Sequence, residues 1–314
     1  MEKVATRDAY GRALARLGEL YEDVVVLDAD LSKSTKTADF AARFPQRFFN
    51  MGVAEQNMMG TAAGLAASGK VVFASSFAVF ATGRAWEQVR NSIAYAGLNV
   101  KIAASHAGIT VGEDGGSHQS VEDIALMRVV PGMTVLVPAD AVATEKLVDA
   151  AYRHPGPVYL RLGRPAVPVI YSPNVDMSIG RGIELREGKD ATIIACGIMV
   201  HQALEAARFL ESRGLAVSVV DMFSVKPLDE ELVLHKARET GALVTAEEHN
   251  VIGGLGGAVC EVVAGSCPVP VVRVGIQDMF GQSGTPDELM EYYGLTAKHL
   301  VEAVERAVGL KEKT

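Results

Sequence analysis

Residues 106–119, with the sequence HAGITVGEDGGSHQ, concentrate side chains that could do chemistry. His106 and His118 lie twelve positions apart, and Glu113, Asp114 and four glycines lie between them. Imidazoles and carboxylates accept and donate protons near neutral pH, and glycines let a backbone approach a ligand closely. The segment is poor in large apolar side chains and follows the strand-like sequence VKIAAS. We therefore predict a loop outside the core, at the carboxyl end of a parallel strand, where open α/β sheets bind ligands.

Glu55 and two aromatic residues form a second group of candidates. Glu55 stands in NMGVAEQN, in the first turn of a predicted helix, where the helix dipole alone would favour an acid. The sequence SSFAVF offers Phe77 and Phe80, whose rings could stack on a flat ligand or pack in the core. The following GRAWEQVRNSIAYAG is predicted to be a helix. From the residues alone, both a structural and a functional role stay open.

Alternating strands and helices predict how these residues are positioned. A helix over residues 7–21, capped by Thr6, precedes the buried strand DVVVLDAD, and similar pairs recur in both halves of the chain. This order predicts an α/β fold of two domains, each a mostly parallel sheet flanked by helices. The predicted domains span residues 1–165 and 190–314, and residues 166–189 form an extended linker ending in a short edge strand.

Composition narrows the class of protein. The 314 residues are 49% hydrophobic, which is enough to bury two ordinary cores. A net charge of −8 argues against a nucleic-acid partner. Three cysteines are too few for a disulfide framework and indicate a reduced, cytoplasmic protein. The most apolar run is interrupted by serines and a lysine, so no membrane span is expected.

Longer stretches of the sequence resemble a known family. VGEDGGSHQSVED, preceded by SHAG and followed by VLVPADA and GPVYLRLGRP, resembles the pyrimidine-binding domain of transketolases, which are thiamine-diphosphate enzymes. DATIIACGIMVHQALEAARFL and EEHNVIGGLGGAV resemble the C-terminal domain of the same family, so the resemblance covers nearly the whole chain. Its implied activity is transfer of a two-carbon ketol group between phosphosugars.

The resemblance also implies a partner. Full-length transketolases begin with a diphosphate-binding domain whose GDG motif and downstream Asn hold Mg²⁺ and the cofactor's diphosphate, and no such element occurs in this sequence. The match is therefore to the C-terminal subunit of a split transketolase. The implied partner is an N-terminal subunit that holds Mg²⁺ (or Ca²⁺), in an α2β2 heterotetramer. No metal site is assigned to the present chain, because GEDGG lacks the spacing of a calcium loop and the histidines lack that of a zinc site.

Individual residues take roles from the matching motifs. Glu55, in the family's NxGxxE context, matches the catalytic acid that hydrogen-bonds N1′ of the cofactor's pyrimidine, so that the ring's own amino group can take the C2 proton. Phe77 and Phe80 match the aromatic residues that bind the pyrimidine, although this chain continues with ATGRAW where the family has a third aromatic. The implied sugar-binding residues are His118, also catalytic, and Asp114 at the first hydroxyls; His106, Arg7, Ser34 and Arg164 at the terminal phosphate; and Asp30, which would orient the sugar.

Other functions are compatible with some of the same residues. The β subunit of a 2-oxo-acid dehydrogenase is similar in length and domain order but typically has a GAQHSQ-like segment in place of GEDGGSHQ. A fragment of a deoxyxylulose-phosphate synthase and a non-catalytic assembly subunit are further alternatives. GGLGG lacks the lysine of a phosphate-binding loop and is predicted to pack the domains together, with His249 structural.

Overall fold

Residues 2–313 are described by the computed structural model, and two sheets organise them. The strands are β1 (Lys3–Ala5), β2 (Val24–Asp28), β3 (Phe48–Asn50), β4 (Val71–Phe77), β5 (Val100–Ser105), β6 (Thr134–Leu136), β7 (Val158–Arg161), β8 (Ala166–Pro168), β9 (Ile183–Arg186), β10 (Ala191–Ala195), β11 (Val217–Asp221), β12 (Ser224–Lys226), β13 (Leu243–Asn250) and β14 (Val271–Ile276).

Helices cover both sheets. They are α1 (Thr6–Leu20), α2 (Ser32–Thr35), α3 (Ala38–Arg43), α4 (Glu55–Ala67), α5 (Trp86–Gln88), α6 (Asp123–Arg128), α7 (Ala141–Arg153), α8 (Met199–Glu211), α9 (Glu230–Thr240), α10 (Leu255–Ser266), α11 (Pro286–Tyr292) and α12 (Ala297–Lys311). Short 3₁₀ segments lie at Pro45–Arg47 and Ile109–Asp114, and π-helical segments at Phe80–Arg84 and Val89–Ala94.

The first sheet has the strand order β12-β6-β7-β5-β4-β2-β3, and its strands are parallel except for β12. Successive residues of β2 point to opposite faces, so Val24 and Val26 pack with α1 residues such as Leu14, whereas Val25 and Leu27 pack with α4. This two-sided burial explains why the strand sequence VVVLD is continuously apolar up to its last residue.

The second sheet has the order β14-β13-β10-β11-β9, with β9 antiparallel at the edge. Strands β1 and β8 form a separate antiparallel pair. The predicted fold class, two α/β units with mostly parallel sheets flanked by helices, is confirmed, and β9 is the short edge strand expected near the end of the linker.

Two local predictions were wrong, and a third was right only in outline. Thr6 is not a helix cap, since α1 begins at Thr6 itself and the Thr6 hydroxyl accepts a hydrogen bond from the backbone N–H of Gly163 at 2.8 Å. The helix predicted over residues 83–97 is present as far as Ala94, with the short α5 between two π-helical segments. Residues 106–112 are not solvated: Ile109 and Val111 are fully buried, because the second half of the chain packs over them.

Two further elements were not predicted. Strand β12 is only three residues long, and it leaves the second half of the chain to pair with β6 of the first sheet. Helix α11 has a capping box between Thr285 and Glu288, with a proline in its first turn. No helix within residues 2–313 is both long and apolar enough to cross a membrane.

Candidate functional site

Residues 106–119, called the site loop from here on, begin at the carboxyl end of β5, as predicted. His106 has a positive φ of 57° and is 3% exposed. Its Nε2 lies 3.2 Å from Arg7 Nη1 and its Nδ1 lies 2.9 Å from the Ser105 hydroxyl. Burial, with smaller contributions from nearby Arg7 and Arg164, lowers the pKa of His106 to about 3. The ring is therefore neutral, with Nε2 accepting from arginine and Nδ1 donating to the serine.

Aromatic rings connect His106 to the rest of the site. Phe77 ends β4, and its ring stacks on that of His106 with centroids 3.8 Å apart. Phe80 lies parallel to Phe77 at 6.0 Å, and the ring of His118 meets Phe80 edge-on at 5.5 Å. Phe77 is 7% exposed, whereas Phe80 is half-buried. Of the two predicted stacking residues, Phe80 is thus the one that offers a surface to a ligand, and Phe77 supports it.

Glu55 is the first residue of α4, in the first helical turn as predicted. Its side chain is nearly completely buried, with 1% exposed. Its carboxylate is paired with Arg84 Nη1 at 2.8 Å, and the Arg84 guanidinium lies 4.7 Å from the centre of the Phe80 ring. Arg84 was not among the predicted residues. Its spacing of four from Phe80, about one helical turn, was the available signal.

The guanidinium group of Arg7 lies beside Nε2 of His106. Arg7 Nη1 donates to the backbone oxygen of Ser34 at 3.1 Å. Burial lowers the pKa of Arg7, Asp8 opposes that effect, and the charge of Arg164 lowers the pKa further. Two guanidinium groups that repel each other in a partly buried position favour a bound anion between or beside them.

The acidic residues of the site loop face the second of these arginines. Arg164 Nη1 lies 3.6 Å from Asp114 and 3.7 Å from Glu113, and it also donates to the backbone oxygen of Val111. Asp114 is exposed, and His118 is half-buried with its Nδ1 3.1 Å from the Ser117 hydroxyl. The loop therefore presents a carboxylate and an imidazole to solvent near the arginines.

The side chains of Asp30 and Ser34 make none of the contacts described above. Asp30 is exposed, has a φ of 65° and accepts from Asn50 Nδ2 at 2.9 Å. The preceding Asp28 is fully buried and holds the following turn by accepting from the hydroxyls of Thr35 and Thr37. The backbone oxygen of Ser34 accepts from Arg7 Nη1, and the phosphate contact expected of the Ser34 side chain stays a prediction.

No three His, Cys, Asp or Glu side chains of residues 2–313 form a group that could hold a metal ion. His249 is fully buried, donates from Nδ1 to its neighbour's carbonyl and accepts from the backbone N–H of Ala125 at 3.2 Å. These contacts join the two halves of the chain and agree with the structural role predicted for it.

Comparison with known proteins supports the resemblance. The family model "Transketolase, pyrimidine binding domain" matches residues 2–169, and "Transketolase, C-terminal domain" matches residues 180–300. A putative transketolase C-terminal section from Methanocaldococcus jannaschii is 51% identical over 95% of this chain and 94% of its own length. A 6-deoxy-6-sulfo-D-fructose transketolase subunit from Clostridium sp. is 46% identical over 96% of this chain and 94% of its own.

A solved structure agrees with the sequence comparisons. It is titled "Split gene transketolase, inactive beta4 tetramer", shares 60% identity and superposes with a TM-score of 0.93, covering 98% of this chain and 99% of that one. This chain, which consists of the pyrimidine-binding and C-terminal domains, belongs to the transketolase family as a subunit of the thiamine-dependent transketolase type.

Proposed function

We propose that this chain is the pyrimidine-binding and sugar-binding half of a two-chain transketolase that moves a two-carbon ketol group between phosphosugars. The observation that carries the proposal is one continuous set of contacts. Buried Glu55 is paired with Arg84, which lies over the ring of Phe80. From Phe80 the contacts continue to His118, and through Phe77 and His106 to Arg7. A proton-handling carboxyl group, a flat aromatic surface and a cationic end thus lie side by side.

The carboxyl end fits the pyrimidine ring of thiamine diphosphate. Glu55 is buried enough to share a proton with a ring nitrogen, and the half-buried face of Phe80 suits a flat, weakly polar ring. When bound, the cofactor supplies the carbon nucleophile that attacks a ketose carbonyl. In this proposal Glu55 holds the proton at N1′, while Phe77 and Phe80 fix the plane of the ring and exclude water.

The cationic end fits a sugar with a terminal anion. Arg7 and Arg164 would bind the anion, with His106 accepting from Arg7 to hold that side chain in place. His118 and Asp114 would contact the first hydroxyls of the sugar, and Asp30 would orient its chain. The relative named for a sulfonated sugar suggests that phosphate and sulfonate are both worth testing at this end.

A partner chain completes the proposed enzyme. The metal, Mg²⁺ or Ca²⁺, is assigned to an N-terminal subunit with the diphosphate-binding domain, in an α2β2 assembly, as the resemblance implies. Support comes from the relatives, one named a C-terminal section, one named a subunit, and one titled a split transketolase whose tetramer of β chains is inactive.

The test is reconstitution. We expect the isolated chain to bind thiamine diphosphate weakly in a calorimetric titration with Mg²⁺ and to transfer no ketol group, because half of the cofactor site is missing. Addition of a chain that carries the GDG motif should restore tight binding and transfer between phosphosugars. Submicromolar cofactor binding by the isolated chain would contradict the split site, and an assembled enzyme that acts only on 2-oxo acids would contradict the proposed reaction.

A further inference from the structure

Glu248 belongs to the second half of the chain, but its carboxyl group reaches the site loop. The residue lies on β13 and is 4% exposed. Its Oε1 accepts a hydrogen bond from the backbone N–H of Thr110 at 2.7 Å. Gly108 has a φ of 80°, and a Cβ atom at this position would overlap the Glu248 carboxyl group. The backbone of residues 108–110 is therefore shaped directly against this carboxyl group.

A buried ion pair fixes the backbone of Glu248 in turn. Arg161 Nη2 donates to the backbone oxygen of Glu248 at 2.9 Å, and Arg161 Nε donates to Asp123 at 2.7 Å. Burial alone would raise the pKa of Asp123, but Arg161 holds it below its usual value. Arg161 and Asp123 both belong to the first half of the chain. The first half therefore holds the backbone of Glu248 in the position from which its side chain reaches the loop.

The far end of the site loop, like its start, is held by the second half of the chain. Gln119 Nε2 lies 2.9 Å from the backbone oxygen of Gln282, and 3.1 Å from the backbone oxygens of Ile109 and Gly112 inside the loop. Glu248 and Gln282 thus hold the loop from two sides. Between these ties lie Asp114, beside Arg164, and His118, whose ring meets Phe80.

We propose that Glu248 is a positioning residue for the site loop. By accepting from Thr110 it fixes the backbone path that places His106 against Arg7 and carries Asp114 and His118 to the sugar. Its effect on the enzyme rests on the proposed function. We expect weaker binding of the anionic sugar, because the loop residues, His118 included, contact the sugar, whereas Glu55, which handles the proton at N1′, lies outside the loop. The effect of Glu248 on the loop backbone does not depend on the reaction.

Hydrogen–deuterium exchange on the isolated chain tests the structural step. Glu248→Asp keeps the charge but is one methylene shorter and cannot reach Thr110, whereas Glu248→Gln keeps an oxygen at the same reach. Exchange in residues 108–112 should become about tenfold faster in the Asp variant and stay within about threefold of wild type in the Gln variant. Should Glu248→Asp not fold, Glu248→Ala, which removes the acceptor of the Thr110 N–H without changing the loop sequence, is expected to give the same increase.

Glu247 provides the matched control. It is the adjacent buried glutamate, and its oxygens accept from the backbone N–H groups of Leu255 and Gly256 at the start of α10, at 2.7 and 2.8 Å. Glu247→Asp should loosen α10 and leave exchange in the site loop unchanged. Equal loosening of the site loop by Glu247→Asp and Glu248→Asp, or wild-type exchange in Glu248→Asp, would overturn the proposal, as would a Gln variant as loose as the Asp variant.

Kinetics of the assembled enzyme test the catalytic step. Glu248→Asp should raise KM for a phosphosugar acceptor by about fivefold to tenfold and change kcat by less than about twofold, while Glu248→Gln restores KM. A fall in kcat with KM unchanged would overturn the positioning role. If exchange responds as expected but the wild-type assembly transfers no ketol group, the proposed function fails and the assignment of Glu248 to the loop stands.

Discussion

At the scale of single residues, the proposed role of Glu55 can be tested most directly. Glu55 is buried, yet its charge is met by Arg84, whose side chain is 48% exposed. Because Arg84 is half-exposed, its guanidinium stays solvated when the charge of Glu55 is removed, so loss of the pair should not unfold the chain. Glu55 is therefore a residue at which charge can be removed and chemistry followed separately from folding.

Glu55→Gln keeps the size and polarity of the side chain but cannot relay a proton. In the assembled enzyme it should reduce proton exchange at C2 of bound thiamine diphosphate by about 10²–10⁴-fold, with a smaller loss of cofactor affinity. Proton NMR of C2 exchange isolates this step from sugar binding. The control is Glu87→Gln, at an exposed glutamate in α5. This variant should exchange the C2 proton at the wild-type rate. Wild-type exchange in Glu55→Gln would reduce Glu55 to a helix-start charge.

Arg7 and Arg164 should act on substrate binding rather than on the chemical step. Alanine at either position is expected to raise KM for phosphosugars more than it lowers kcat, because contacts to a non-reacting phosphate are largely uniform binding. Non-phosphorylated acceptors should be nearly unaffected. Steady-state kinetics with both acceptor types, using exposed Arg12→Ala as the control, checks this. Equal losses with the two types of acceptor would mean that the arginines are structural.

His106 makes stability depend on pH in a defined direction. Its pKa falls from an ordinary 6.5 to about 3 on folding, because of burial first and then the nearby arginines. Above pH 6.5 the ring is neutral in both states. As the pH falls from 6.5 towards 3, only the unfolded chain gains the proton, and stability is lost, by about 2 kcal/mol at pH 5.

The His106→Gln variant should lack this dependence. Urea unfolding at pH 7.5 and pH 5.0 gives the free energy of unfolding of both proteins, and the advantage of wild type over the variant should shrink by about 2 kcal/mol at the lower pH. The same advantage at both values would show that the folded protein can protonate His106 without cost.

At the scale of elements, two helices of the first half use glycine for different reasons. A Cβ at Gly18 in α1 would lie 2.5 Å from Phe44 and 2.6 Å from Phe40, so this glycine permits α3 and the following turn to pack closely. A Cβ at Gly64 in α4 would meet open space, with nothing within 4 Å beyond its own helix backbone, and the position is exposed. Helix propensity therefore decides at Gly64, and packing decides at Gly18.

Alanine substitutions should consequently have opposite signs in the isolated chain. Gly64→Ala should stabilise it by about 0.5–1 kcal/mol through helix propensity. Gly18→Ala gains the same propensity but should be destabilised overall, since overpacking costs about 1–3 kcal/mol. Urea unfolding of the two variants beside wild type measures both. Stabilisation by both substitutions would show that the rings of Phe40 and Phe44 move aside freely.

The elements also show what the sequence could reveal. Continuous apolar strands and amphipathic helices carry their own periodicity, so the alternation, the two units and the loop after β5 were predicted from residues alone. Strand β12 could not be, because three residues have no period and its partner β6 is some ninety positions away. Burial of Ile109 and Val111 likewise depends on a covering surface from the other half of the chain.

The site itself divides in the same way. Glu55, the aromatic pair and the site loop stood out by residue type and by the transketolase resemblance, and the structure brings them together. Their assigned roles remain predictions. Arg84 was missed although its spacing from Phe80 was a signal, and Glu248 was missed because its contact with the site loop joins the two halves of the chain. Local pattern predicts which residues are reactive, whereas packing determines which residues hold them.

At the scale of the whole molecule, the two halves are joined by more than a linker. Ser224 and Lys226 of β12 pair with β6, and the backbone N–H of Val137 donates to Phe223 at 2.8 Å. Lys226 Nζ donates to the backbone oxygens of Arg128 and Val130 at the end of α6, at 2.7 and 2.6 Å. With the contact from Glu248 to the site loop, the first sheet is complete only when the second half is folded.

This arrangement predicts that the two halves unfold together. In calorimetry the isolated chain should give one transition, with a calorimetric enthalpy equal to the van't Hoff enthalpy, although chains of this length often show several. A fragment ending at Val175 lacks β12, Lys226 and Glu248, so it should expose the edge of β6 and the buried residues Ile109 and Val111. We expect that fragment to aggregate or to lose the cooperative transition. Two separate transitions in the full chain, or a fragment that melts cooperatively at the same temperature, would show that the shared sheet contributes little and that each half folds independently.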